Sequence, residues 1–406
     1  MIEIGIIFFL AFLFYLVIPG FGAFWVRAQW RRFRKQMQDS SFYPLTEYPS
    51  EENPISNSAE DDSEGCLGTF RFFGTIEAIQ DTDAIWVRNG DTMYSVDMRN
   101  GTVYFLPSFS GMKEEGIVEY NKDMLSEEEP LKVSWKRIYS LSEGTKIFIC
   151  GKLYRESGNL VFRNIPDKKL MLVIYDGDSS SLLRRAVWGG RQRNEYWNPF
   201  TPISLALGFF SLLSYAYTLI RIPEMYNIGL LSLVGSLIPL VPLFPPGVLI
   251  FFLYRNLWKK ARRLRAERDI LELPLRYFEK NVQKNTAVTL PNGEEYMIGR
   301  LLGENCFNNF DPDIKVRSSS LVNLTEKKPT DYFAFGAVDR KNGLITLVRP
   351  QDPMAEYVLI PGDPAHLSKK CAESARFYEW ISAGSFAAGF LINLFVVLFL
   401  IQLFVQ

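Results

Sequence analysis

Four stretches of this chain are almost free of charge and long enough to cross a bilayer: residues 4–26, 200–220, 228–254 and 381–405. A hydrocarbon core of about 30 Å takes roughly twenty helical residues, a length that buried helices of soluble proteins rarely sustain without charge. Backbone groups in lipid must bond within their own segment, so such stretches fold as helices. The first stretch carries Glu3 and no basic residue ahead of it. Arginines rather than a cleavage site follow it, so it reads as a retained anchor and not a secretory signal.

Charge is balanced overall, 45 basic against 45 acidic residues, which argues against a nucleic-acid partner. It is instead local. Arg27, Arg31, Arg32, Arg34 and Lys35 follow the first stretch, and Arg184, Arg185, Arg191 and Arg193 precede the second. Arg255, Lys259, Lys260, Arg262, Arg263, Arg265 and Arg268 follow the third, and Lys369, Lys370 and Arg376 precede the fourth. All these collars fall on one side of a four-span topology, which predicts external termini and two large cytoplasmic loops, as in a bacterial inner-membrane protein. Arg31, Arg32, Arg34, Lys35, Lys259, Lys260, Arg262 and Arg263 are the cations assigned to the lipid surface, where each contributes about 1 kcal/mol near anionic headgroups. The same collars would arise if they served topology alone. Trp25, Trp30, Trp188, Trp197, Tyr254, Trp258, Tyr378 and Trp380 at the edges suit interfacial anchoring.

Residues 36–67 are rich in Ser, Asn, Pro and acid, and read as a linker with too little apolar content for a core. Beyond them, short runs alternate apolar and polar residues between turn signals such as Asn89-Gly90, Asn100-Gly101 and Ser157-Gly158. Period-two segments at this spacing predict a small antiparallel barrel or sandwich. The expected architecture is thus an α+β membrane protein with four transmembrane helices and two small antiparallel β-domains. Its parts are a first span within 1–26, a basic collar and disordered linker over 27–67, a β-domain over 68–183, spans over 200–220 and 228–254, a basic helical collar over 255–280, a second β-domain over 281–370, and a last span over 381–405.

The two loops share a pattern. Residues 148–186 align without a gap on 333–371, with nine identities in 39 positions: Phe148 with Phe333, Gly151 with Gly336, Arg155 with Arg340, Gly158 with Gly343, Asp167 with Asp352, Val173 with Val358, Gly177 with Gly362, Asp178 with Asp363 and Leu182 with Leu367. Gly151 and Gly336 sit mid-strand, where a missing side chain marks a bend or a close approach. Arg155 to Gly158 and Arg340 to Gly343 predict tight hairpins. Gly177-Asp178 and Gly362-Asp363 end a strand, with Asp178 and Asp363 as caps for the helices that follow. A metal-binding reading of Asp176-Gly177-Asp178 fails in the second copy, where Pro361 replaces the first carboxylate. Cys66, Cys150, Cys306 and Cys371 are scattered, and His366 is the sole histidine, so neither a zinc site nor a catalytic histidine is expected, and no cofactor.

The run Ser142-Glu143-Gly144-Thr145 through Gly151, then residues 159–163, 172–174 and Gly177 to Arg185 ahead of an apolar stretch, resembles the GIDE-type "beside a membrane" domain. The resemblance covers about residues 68–220 and, more faintly, the second copy. That family includes a mitochondrial ubiquitin ligase with this domain between two spans and a terminal RING finger. The RING ligands are missing here, so ligase activity does not carry over. The relative's domain faces the intermembrane space, whereas the basic flanks here predict the cytoplasm.

Three function classes follow. A membrane-anchored interaction protein, with its β-domains binding a protein partner or the lipid surface, comes first. A transporter or channel component is suggested by Pro239, Pro242, Pro245 and Pro246 in the third stretch, against which stands the absence of intramembrane charge. An enzyme ranks last, since no nucleophile–base set or phosphate loop appears.

Overall fold

The computed structural model describes residues 2–46, 65–80, 83–107, 125–126, 128–138, 140–156, 158–165, 169–278, 287–290, 293–302, 315–316, 331–341 and 344–405. Contacts divide the chain into two units. One comprises Met1–Arg32, Asn194–Arg265 and Ala372–Gln406; the other comprises Phe33–Arg193 and Ala266–Cys371.

The first unit is helical. Helix α1 (Ile2–Phe12) passes through a π-helical turn, Leu13–Val17, into α2 (Ile18–Ser40). Pro19 offers no N–H to the preceding turn, and the helix widens ahead of it, with the Ile18 N–H bonding back to the Leu13 carbonyl. Helix α3 (Leu182–Gln192), which belongs to the second unit, leads after a short link to α4 (Phe200–Ile220) of the first. A turn at Pro223–Met225 reverses the chain into α5 (Tyr226–Leu237), which tightens to a 3-10 helix over Ile238–Leu243. Helix α6 (Gly247–Leu271) and the long α7 (Pro364–Val405) complete the set. Among the described residues, four helical runs are long and apolar enough to cross a membrane: Ile2–Ser40, Phe200–Ile220, Pro223–Leu243 and Pro364–Leu400.

Expectation and structure part at the third run. Residues 228–254 are not one helix; the chain breaks between Leu243 and Gly247. Pro239 and Pro242 remove backbone donors upstream and Pro245-Pro246 occupy the break itself, so helical bonding cannot continue. The Val241 and Phe244 carbonyls keep the backbone donors Phe244 and Val248, at 3.3 and 3.0 Å, and one side chain of α7 adds to them. The Asn393 amide donates to the carbonyls of Val241 and Phe244, each at 2.6 Å, and its oxygen accepts the Gly247 N–H at 2.9 Å. Asn393 is fully buried, as are Ser232 and Ser236, while Phe8, Phe24, Leu249 and Phe395 are between 63 and 72% exposed. Small and polar residues face inward and large apolar ones outward, the inverse of a water-soluble bundle.

The second unit holds two sheets. In the first, β1 (Gly65–Gln80), β2 (Ala84–Asn89) and β3 (Thr92–Asp97) form an antiparallel meander. Strand β4 (Thr102–Phe105) and β5 (Leu131–Ser134) follow, then β6 (Lys146–Glu156), β7 (Asn159–Arg163) and β8 (Met171–Ile174). Strand β6 returns to lie antiparallel beside β1, and β7 runs parallel to β3, so β1-β2-β3-β7-β6 closes a five-stranded, barrel-like ring with Greek-key connectivity. Strands β8, β4 and β5 extend it from β6. Bulges after Cys66 and Ile76 bend β1 so that its two ends serve different neighbours. Phe72, Ile85, Val96, Ile149, Phe162 and Leu172 fill the interior.

The second sheet comprises β9 (Ala287–Thr289), β10 (Glu295–Leu302), β11 (Lys315–Val316), β12 (Asp331–Lys341), β13 (Leu344–Val348) and β14 (Val358–Pro361). The bounds of β12 and β13 lie 185 residues beyond those of β6 and β7, and β11 runs parallel to β14 as β4 does to β8. Register diverges at the last strand. Phe148 faces Val173, whereas Phe333 faces Ile360, two residues beyond the aligned Val358. An even slip leaves each side chain on the same face, which is why the core tolerates it. Among the described residues, no strand pair closes this second sheet as β2 and β3 close the first.

The linker expectation needs correction over residues 36–46. Helix α2 continues to Ser40 with Met37 fully buried, and Leu45, 4% exposed, bridges in parallel to Arg71. Residues 47–64 lie outside the described residues.

Candidate functional site

The repeated positions are mostly framework. Gly177 and Gly362 adopt left-handed φ of +74° and +96°, a region that glycine enters without strain. That turn aims the following aspartates at helix starts. Asp178 accepts from the Ser180 N–H at 3.4 Å, and Asp363 from the Ala365 N–H at 2.9 Å. Asp176 pairs with Arg185. Gly158, φ +81°, closes the hairpin from Glu156 to Asn159; Gly343 lies outside the described residues, as does Asp167. Arg340 reaches Glu295 at 2.5 Å on the surface, and Arg155 faces Gly65 and Leu160 across its strand. Gly151 makes room for the Leu170 side chain, while Gly336 makes room for the Tyr357 ring and the Val348 carbonyl.

A cleft of about 400 Å³ opens in this unit between the start of α3 and the segment before β14. Asp178, Ser180 and Arg184 line one wall; Arg349, Asp352, Glu356 and Tyr357 line the other. Arg349 stands 3.6 Å from Asp178, but both side chains are more than half exposed, so water screens the pair to a fraction of a kcal/mol. The lining carries both signs of charge, with no histidine or cysteine. Such a surface can hold a polar group by hydrogen bonds, and within it the Ser180 hydroxyl donates to the Asp178 carboxylate at 2.5 Å.

Asp352 also ties the segment before β14 to the first sheet. Arg71, on β1 and fully buried, grips Asp352 with both terminal nitrogens, one at 2.8 Å. Its Nε donates to the Tyr43 carbonyl at 2.6 Å, and its backbone bonds to Pro44 and Thr46. Asp352, 2% exposed, also accepts from the Met354 N–H at 2.9 Å. Every acceptor of the pair thus has a donor, the condition under which two buried charges persist. Planar guanidinium against carboxylate fixes orientation as well as distance.

A second buried carboxylate organises the collars. Asp269 on α6 receives Arg191 at 2.6 Å and Arg268 at 2.5 Å, with Arg34 at 3.8 Å. Burial alone would raise the Asp269 carboxyl, but the charges of Arg191 and Arg268 outweigh it and hold the group below the ordinary aspartate value. Arg34 is 8% exposed and donates to the Gly190 carbonyl at 2.6 Å, an approach that Gly190 permits because a Cβ there would meet the arginine stem. Arg34 therefore leaves the set of lipid-facing cations: a neighbouring helix, not solvent, receives it. Arg31, Arg32, Lys35, Lys260 and Arg263 are exposed, and Lys259 and Arg262 half-buried. Lys260 lies over the Tyr378 ring at 4.3 Å.

Sequence reasoning assigned no role to Arg71, Asp269 or Asn393. Asp352 stood in the aligned set, yet nothing local marked its partner 281 residues away. Asn393, a lone amide amid the apolar residues of the last stretch, was the one visible signal. Among the described residues no cluster of three or more His, Cys, Asp or Glu gathers as a metal would need. No family model matches the chain, and neither a curated protein nor a solved structure matches it.

Proposed function

We propose that the chain is a multi-pass, membrane-anchored interaction protein whose two β-sheets act as one docking body for a protein partner or the lipid surface. The observation that carries this is the outward-apolar, inward-polar arrangement of four helices of spanning length. The Arg71–Asp352 pair supports treating the two sheets as one body, and the mixed-charge cleft beside it supports a polar protein surface as partner. The offset of 185 residues between β6-β7 and β12-β13 supports a duplicated unit. The one-sided basic collars support cytoplasmic sheets and external termini in a cell membrane. Reporter fusions at Lys122 and Glu326 are expected to read cytoplasmic and those at Asn227 and Gln406 external. Alkaline phosphatase activity at Lys122 would refute the orientation.

The broken third run favours a second reading, a transporter or channel component, because interrupted helices mark many transport sites. Replacing residues 200–254 by an unrelated helical hairpin separates the two. Anchoring predicts retained co-purification of partners and retained cellular function; transport predicts loss of function with both sheets folded.

A further inference from the structure

The first unit is built of two sets of helices that meet at a break in the chain and where the Tyr196 ring, ahead of α4, lies 5.5 Å from that of Trp258 on α6. Ser204 donates to the Phe14 carbonyl, Tyr15 to Ser236 at 3.4 Å and Ser232 to Leu212 at 2.7 Å, while Gly208 packs against Phe14 and Tyr15. These bonds tie α1, α4 and α5 together. A second set ties α6 to α7: Gly389 against Ile250, Tyr254 against Phe386 at 5.2 Å, Lys260 over Tyr378, and Arg265 to Glu379 at 2.6 Å. The covalent link between α5 and α6 is the break at Phe244 to Pro246, where prolines thin the ladder to the bond from the Val248 N–H to the Phe244 carbonyl, 3.0 Å, and bending is easier than within a helix. Asn393 bridges it, holding two carbonyls of the first half and the first N–H of the second. Gly247 lets it come so close, since a Cβ there would collide with the amide.

We propose that the break between Leu243 and Gly247 is a hinge and that Asn393 is its latch, so that α6 and α7 swing as a pair against α1, α4 and α5 when the amide lets go. Releasing the amide strands the Gly247 N–H and the Asn393 side chain in an apolar setting, which costs several kcal/mol unless they are re-bonded, so the latch is two-state rather than graded.

The test measures distances by spin labels on cysteines introduced in the full-length protein in bilayer nanodiscs, with Cys66 and Cys306 replaced by serine and the buried Cys150 and Cys371 kept. Labels at Leu231 and Leu249 span the hinge; labels at Leu207 and Leu231 report the first set alone. All three positions are exposed. Asn393→Leu is expected to add a second distance population to the 231–249 pair and leave the 207–231 pair unchanged. Gly247→Ala, which displaces the amide, is expected to do the same. A single unchanged 231–249 distance in both variants overturns the hinge. Broadening of both pairs overturns it too, because the residue would then merely hold the bundle. If neither variant accumulates folded, the latch is indispensable to the fold and the proposal also falls.

Discussion

Removing one partner of the Arg71–Asp352 pair is the sharpest probe of how the two sheets hold together. Arg71→Met strands a carboxylate that is 2% exposed and deprives the Tyr43 carbonyl of its donor. Breaking a buried pair from one side costs about 3–5 kcal/mol, and a lost hydrogen bond adds about 1 kcal/mol. Asp352→Asn keeps an acceptor for Met354 but leaves the guanidinium unbalanced, at about 3 kcal/mol. The double variant loses both charges, so its cost should fall short of the sum by at least about 2 kcal/mol. The assay is guanidinium unfolding of the solubilised full-length chain, followed at two places: Trp135 fluorescence for the first sheet, whose core contains it, and peptide-resolved hydrogen exchange of β12 for the second. Wild-type transitions should coincide, and single variants should separate them. A coupling below about 0.5 kcal/mol, or coincident transitions in Asp352→Asn, would refute the claim that this pair welds the sheets.

The two mid-strand glycines should differ. Gly151→Ala meets only the end of the Leu170 side chain, which can rotate away, at about 1 kcal/mol, whereas Gly336→Ala meets the Val348 carbonyl and should cost about 3 kcal/mol in thermal unfolding. Equal costs would mean the second sheet yields as easily as the first side chain. Because the Asp269 carboxyl is depressed in the fold, its stabilisation is present above the unfolded value of about 3.9 and disappears as pH falls through the folded value. The stability gap between wild type and Asp269→Asn should therefore close below about pH 4 in acid titrations. Burial pushes the Tyr104 hydroxyl up to about 12, so stability should fall as pH rises from about 10 to about 12, and Tyr104→Phe should abolish that loss.

Local rules made much of the architecture legible. Length and lack of charge mark four helices of spanning length, since helix length and side-chain polarity are properties of a contiguous stretch. Alternation marks β2, β3, β4, β7 and β13, and Asn-Gly or Ser-Gly pairs mark their turns, because pleat and turn chemistry act over a few residues. The helix caps at Asp178 and Asp363 were readable for the same reason. What escaped needs partners distant in sequence. Basic residues read alike whether they face lipid or a buried carboxylate, so only tertiary contact separates Arg34, held by Gly190 and Asp269, from exposed Lys35. The polar run after α2 looked like a linker by composition, yet residues 43–46 pack because Arg71 offers them a backbone and a guanidinium. Prolines announced trouble in the third apolar stretch, but whether it bends, breaks or unfolds depends on Asn393, nearly 150 residues later. The sequence by itself determined which segments become helix or strand; the tertiary structure decided which charges are buried in pairs, because desolvation is set by neighbours that no local pattern names.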